Sequence, residues 1–155
     1  MGLDMYLYRK KKNVPVGRDD EKIAYWRKAN AVRKYFIDKC GYPADGNCQP
    51  YPVKKEQLVT LVKICMDIWR EYTWRVQEYT DEHPENTVQE MNDAVWADMR
   101  DYCEENLPSE SGFFFGDTSY DDWYLDRLIG TAQEVTNVIN LVDWDTEDVY
   151  YYEWW

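Results

Sequence analysis

LDMYLY, residues 3–8, is the stretch whose reading decides the fold. Leu3, Met5 and Leu7 alternate with Asp4, Tyr6 and Tyr8, the two-residue period of a strand that buries one face. Such a strand needs a neighbour. VYYYEWW, residues 149–155, has the aromatic and β-branched content of a strand, and pairing it with LDMYLY would bury both. Everything between them reads mainly as helix, which makes the chain an α+β protein rather than a bundle.

RKKKNVPVGRDD, residues 9–20, is a basic loop broken by Pro15 and Gly17. Asp19 or Asp20 could cap a helix running to about residue 38, in which Ile23, Trp26, Ala29, Val32 or Arg33, Phe36 and Ile37 recur at spacings of three and four. CGYPADGNCQPYPV, residues 40–53, reads as an irregular loop. Leu58, Leu61, Val62, Cys65, Ile68, Trp69, Tyr72 and Val76 mark a long amphipathic helix over 54–79. After the TDEHPEN break, Val88, Met91, Val95, Met99 and Tyr102 mark another, to about 105. Ser119 with Asp122 resembles a capping box before a last helix, carried by Leu125, Leu128, Ala132, Val135 and Val138 to about 142. The expected fold is α+β, mostly helical, with about four helices and a small two- or three-stranded sheet in one domain, 1–155.

A domain of 155 residues buries about 70% of its unfolded surface and needs no disulfide or metal staple. Cys40, Cys48, Cys65 and Cys103 follow no C-x2-C or C-x4-C spacing, so reduced thiols with a packing role are expected. The start, MGLDMYLYRKKKN, has no apolar run of signal-peptide length, and no run long enough for a membrane span follows. A cytoplasmic protein without membrane contact is expected.

The net charge of −12 is unevenly spread. Residues 1–60 carry 13 Lys or Arg against 7 Asp or Glu, and residues 61–155 carry 5 against 23. Such polarity suits an anionic ligand on the basic part, or opposite charges meeting within the fold or across a homo-oligomer interface. Direct nucleic-acid binding is disfavoured, since RKKK is a short run in an acidic chain. Phosphate-loop, dinucleotide-loop, H-E-x-x-H and EF-hand motifs are absent. His83 is the only histidine, which argues against a His-based zinc site or a Ser-His-Asp triad. No catalytic residue, metal site or cofactor is expected.

Two segments carry candidate binding residues. IAYWRKAN, residues 23–30, read as helix, puts Trp26 and Asn30 on one face beside Arg27 and Lys28: a plane for a base, cations for a phosphate and an amide for a polar edge. Trp26 is also well placed for the core, and packing is the better single expectation for it. In ESGFFFG, residues 110–116, a strand would aim Phe113 and Phe115 to one side and Phe114 to the other, with Ser109, Ser111 and the glycines permitting close approach. That strand is either a buried core element or the wall of a cleft closed by Tyr120 and Tyr124.

MGLDMYL, YWRKAN and SGFFFG followed by YDDWYL resemble motifs of a family of small phage and prophage proteins that has no assigned activity. The resemblance covers about a fifth of the chain. It implies phage origin and a host-cytoplasmic setting, in which small non-catalytic proteins often counter host defence. The leading expectation is sequestration of an anionic nucleotide-like ligand by Trp26, Arg27, Lys28, Asn30, Ser109, Ser111, Phe113, Phe115, Tyr120 and Tyr124, in a protein that is not an enzyme. The alternative is an acidic inhibitor of a host defence protein, with residues 78–126 imitating nucleic-acid phosphate. A small metal-dependent hydrolase ranks third.

Overall fold

The computed structural model describes residues 2–155. The elements run β1 (Asp4–Lys11), β2 (Glu21–Arg27), α1 (Asn30–Asp38), β3 (Tyr51–Val53), α2 (Lys55–Glu82), α3 (Val88–Asn106), α4 (Asp122–Leu141) and β4 (Glu147–Trp154). It is an α+β fold: four helices and a four-stranded antiparallel sheet, about half helical. The sheet has the order β2-β1-β4-β3. β1 and β4 pair along their full length, from Asp4 opposite Trp154 to Lys11 opposite Glu147. The alternation of LDMYLY is realised. Leu3, Met5 and Leu7 face the helices with Ala24, Trp26, Val149 and Tyr151, all buried.

The other face of the sheet is tyrosine. Tyr6 lies 5.2 Å from Tyr25 and 6.4 Å from Tyr152 between ring centroids, and Tyr8 stacks on Tyr150 at 5.3 Å. Lys22 Nζ sits over the Tyr6 and Tyr25 rings at 5.7 and 5.6 Å. Cross-strand aromatic pairs of this kind stabilise a sheet, and two of the hydroxyls are themselves engaged, Tyr25 donating to Asp4 at 2.6 Å and Tyr150 to Asp20 at 3.0 Å.

The expected helix over 20–38 is two elements. Residues 21–27 form β2, and only Asn30–Asp38 is helical. Ala24 and Trp26 are buried and Tyr25 is exposed, the period of two, and the edge of β1 supplies the hydrogen bonds a strand requires. Pairing decided a segment whose apolar spacing fits either period. With β2 the sheet exceeds the expected two or three strands, because a further strand exists, though not where the phenylalanines suggest: Tyr51–Val53, at the end of the Pro- and Gly-rich loop, pairs with β4 as the fourth.

The three long helices match their sequence signals. α2 runs three residues beyond residue 79, and its apolar stripe packs on α4 and α3. Thr87 caps α3 through a capping box with Glu90. For α4 the cap is Asp121, accepting from the Tyr124 N–H at 3.0 Å, and not Ser119. The outer edge of β2 is closed by α4: Glu134 accepts the Tyr25 N–H at 2.9 Å, and Arg127 donates to the Arg27 carbonyl at 3.0 Å. Covering an edge strand in this way removes a template for strand addition. Among the described residues no helix is long and apolar enough to cross a membrane.

Candidate functional site

β2 ends at Arg27, and the chain turns into α1 through Lys28, whose φ of 54° is left-handed. A non-glycine residue there is held against a local preference of about 1–2 kcal/mol. What holds it is visible. Its N–H donates to the Leu3 carbonyl at 2.7 Å, and its carbonyl accepts from Arg127, which also binds the Arg27 carbonyl. α1 then starts from Ala29, whose side chain cannot cap it.

Asn30 spends its amide elsewhere. Its Nδ2 donates to the Phe115 carbonyl at 3.1 Å and the Asp117 carbonyl at 2.8 Å, while its Oδ1 accepts from the Glu110 N–H at 3.1 Å. One buried side chain thus fastens residues 110–117 to the start of α1. The fastened segment is a turn and not a strand, closed by a Phe115 N–H to Gly112 carbonyl bond at 3.1 Å. Phe113 and Phe115 therefore do not share a side: Phe113 is 95% exposed and Phe115 is buried. The glycines explain the turn. A Cβ on Gly112 would meet the Phe115 ring at 2.4 Å, and Gly116 has a φ of +89° with its Cβ direction 3.1 Å from the Lys28 Cβ.

Under this turn lies the most buried charge of the molecule. Arg33 donates twice to Glu153, both at 2.9 Å, once to Glu110 at 2.8 Å and once to the Ala44 carbonyl at 2.6 Å. Its guanidinium sits 4.6 Å from the Phe115 ring centre and 5.7 Å from that of Trp155. Tyr151 and Trp155 donate to the same Glu153 carboxylate at 2.6 and 3.0 Å. Burial alone would lower the Arg33 pKa, but the hydrogen bonds and charges of Glu153 and Glu110 leave it raised. The network is saturated and enclosed, so it positions the turn and offers no open valence to a ligand. Reading the sequence missed it, although an arginine on the apolar face of a helix was a usable signal.

Between the Lys28 turn, the 116–121 segment and the first turns of α4 lies a cavity of about 180 Å³. Lys28 and Arg127 bring positive charge to it, Asp117 and Asp121 negative charge, and Trp123 an indole. Neither Lys28 nor Arg127 forms an ion pair among the described residues. Asp117 accepts from the Ser119 N–H and hydroxyl at 2.9 and 2.8 Å, and these bonds lower its pKa. A larger, open hollow of about 680 Å³ adjoins the first, sharing Ser109 and Ser119 with it. Trp96, Arg100 and Tyr120 are on its walls.

The ten residues expected from sequence separate into three groups. Lys28, Asn30, Ser109 and Tyr124 line the small cavity; Ser109, Ser111 and Tyr120 line the large one. Trp26, Arg27, Phe113 and Phe115 line neither. Trp26 is buried and its indole N–H donates to Thr131 at 3.1 Å, which makes it a core residue. Because residues 23–27 are strand, Trp26 and Asn30 share no helix face. Arg27 is on the tyrosine side of the sheet, 3.9 Å from Asp4, and Phe115 is packed beneath Arg33. Tyr124 presents little to the cavity, since its hydroxyl is bound to the Leu107 carbonyl at 2.7 Å. Arg127 and Trp123 were not among the candidates.

All four cysteines are free, with Cys65 and Cys103 buried and Cys48 exposed. Among the described residues no group of three His, Cys, Asp or Glu side chains could hold a metal ion. The fold and cleft together define an α+β protein with an unpaired cationic pair where a covered sheet edge meets the start of two helices. No protein-family model, curated protein or solved structure matches the chain.

Proposed function

We propose that the protein binds an anionic, nucleotide-like small molecule at the Lys28–Arg127 cleft, without catalysing its conversion. In the phage setting that the sequence motifs imply, this is sequestration of a nucleotide signal in the host cytoplasm, an anti-defence role. The observation that carries the reading is the pair itself. In a chain of net charge −12, Lys28 and Arg127 face one cavity with no carboxylate in ion-pair range among the described residues, beside an α1 N-terminus that no side chain caps. A phosphate there would gain two charge-assisted partners and the favourable end of the helix.

The test is thermal unfolding against linear and cyclic nucleotides, with mass spectrometry of what is released on denaturation. A ligand at about 100 times its dissociation constant adds roughly 2.7 kcal/mol. The expected result is a raised Tm with one phosphate compound recovered unaltered, and loss of that rise in Lys28→Ala. A Tm unmoved by every phosphate compound would reject the reading.

A second reading has its own observation. Residues 78–126 hold 15 Asp or Glu against one Arg, and among the described residues only Glu104 and Glu110 of these acids are in ion pairs. The last turns of α2 and all of α3 thus form a hairpin of nearly one sign, suited to a basic groove on a host protein. Binding of that kind weakens steeply with salt, because exposed charges are screened over about 8 Å at physiological ionic strength. Partner capture that is indifferent to salt would reject it.

A further inference from the structure

The cleft has an aromatic wall as well as a cationic one, and we propose that its ligand is a nucleoside monophosphate whose phosphate lies between Lys28 and Arg127 and whose base stacks on Trp123. This rests on the reading of the cleft as an anion site and names what that site takes. Trp123 is on the first turn of α4, where Tyr124 and Leu125 beside it are buried while it is 78% exposed. The neighbouring aromatics are engaged by the protein: Trp96 and Tyr120 both pack edge-on against Tyr124. Trp123 alone brings an open indole to the rim of the cavity that Lys28 and Arg127 line. An aromatic plane next to cations is what a base with an attached phosphate requires.

Size limits what the cavity encloses, and charge favours a single phosphate. A volume of about 180 Å³ is below the roughly 300–1,000 Å³ of sites that enclose a whole ligand. It accepts one end of a nucleotide and leaves the rest on the open face of Trp123. Lys28 and Arg127 are the cations on its walls. Asp117 and Asp121 also line it, Asp117 kept ionised by its two bonds from Ser119, and a second or third phosphate would meet these carboxylates. Their free oxygens suit hydroxyl or amino donors instead, such as those of ribose or a base edge.

Titration calorimetry of the full chain with inorganic phosphate, ribose 5-phosphate, the four common nucleoside monophosphates and ATP tests this, with Trp123→Ala and Phe113→Ala as variants. Phe113 is an exposed aromatic that lines neither cavity, so its variant controls for loss of surface ring area. At least one monophosphate should bind roughly 5- to 150-fold more tightly than ribose 5-phosphate, the range a stacked base contributes. Trp123→Ala should remove that gap, Phe113→Ala should keep it, and ATP should bind no more tightly than AMP. Ribose 5-phosphate binding as well as every monophosphate, or a gap that survives Trp123→Ala, overturns the stacking proposal and leaves the anion site standing. ATP binding tightest overturns the single-phosphate assignment. No binding by any of these compounds overturns the proposal, and the anion-site reading falls with it if the cyclic nucleotides also leave Tm unmoved.

Discussion

Two aromatic triplets in this chain have the same look and opposite structures. Tyr150, Tyr151 and Tyr152 lie in a strand with neighbours on both sides, so they alternate: Tyr151 points into the core, and Tyr150 and Tyr152 join the tyrosine face. Phe113, Phe114 and Phe115 lie between glycines with no strand to pair with. They form a turn in which exposure falls steadily, from 95% at Phe113 through half-buried Phe114 to 8% at Phe115. An aromatic run has no period of its own; the partner or its absence supplies one. The two triplets nevertheless share a residue. Arg33 lies over the Phe115 ring and grips Glu153, two positions past Tyr151, whose hydroxyl binds the same carboxylate.

Removing that shared residue has the largest expected effect. Arg33→Met leaves Glu153 and Glu110 without their cation, and breaking one side of a buried pair costs about 3–5 kcal/mol. At about 2–4 °C per kcal/mol for a chain of this size, Tm should fall by roughly 6–20 °C. If chemical denaturation gave less than about 1 kcal/mol, Arg33 would not be what joins turn to strand. The next test separates the triplets directly. In a strand, Phe113 and Phe115 would cost alike. In the turn, Phe115→Ala should cost about 3–5 kcal/mol and Phe113→Ala close to nothing, because only Phe115 loses buried contacts. Similar denaturation midpoints for the two variants would contradict the turn.

That contrast also explains how much was legible. LDMYLY announced its strand because polar and apolar residues alternate within it, and α2, α3 and α4 announced themselves through long stripes at helical spacing. β2 was hidden because Ile23, Trp26 and Ala29 satisfy a helical spacing as readily as Ala24 and Trp26 satisfy a strand's, and only the presence of β1 chooses between them. At the candidate site, Lys28, Asn30 and Ser109 were named from sequence, for a geometry that does not occur. Their true arrangement depends on one left-handed residue and on an amide bound to carbonyls 85 and 87 positions away. Arg127 and Trp123 lie off the apolar stripe of α4, where sequence periodicity carries no information. The Arg33–Glu153 pair spans 120 positions, and nothing local at either end indicates the other.

Alkaline pH distinguishes the triplets more gently, because only one of them titrates. Burial and then the charge and hydrogen bond of Glu153 hold the Tyr151 hydroxyl well above its ordinary pKa near 10. A raised pKa means the folded state prefers the protonated form. The stabilisation is therefore complete below pH 10 and lost as pH climbs beyond it, by up to about 1.4 kcal/mol per pH unit. Burial likewise pushes the Cys103 thiol up to about 11, which begins the loss near pH 9. Stability measured by denaturant between pH 8 and 11 should decline, and Tyr151→Phe should make the part above pH 10 shallower, the remainder coming from Tyr35, Tyr42, Tyr124 and Tyr150, whose hydroxyl pKa values burial also raises. An unchanged slope would place the titrating groups elsewhere.

The smallest expected effect is on stability at Lys28, and its smallness is the point. The Phe turn is fixed in place by Asn30, and Gly116 lies beside the Lys28 side chain and carbonyl, so the turn and the cleft adjoin although their chemistry differs. Lys28→Gly keeps both main-chain bonds, to the Leu3 carbonyl and from Arg127, while removing the ammonium. Glycine gains about 1–2 kcal/mol by adopting φ near +54° without strain and gives back about 0.5–1 kcal/mol in chain entropy. The folded state should thus be unchanged or slightly firmer, within about 1 kcal/mol, while phosphate-ligand affinity falls by at least tenfold. Affinity lost together with stability would mean that Lys28 serves the fold; stability kept with affinity intact would mean that Arg127 alone provides the charge. Lysine at a left-handed position that glycine would fit without strain is the kind of outlier that motivates the cleft reading, because Lys28 lines the cavity it shares with Arg127 and Trp123.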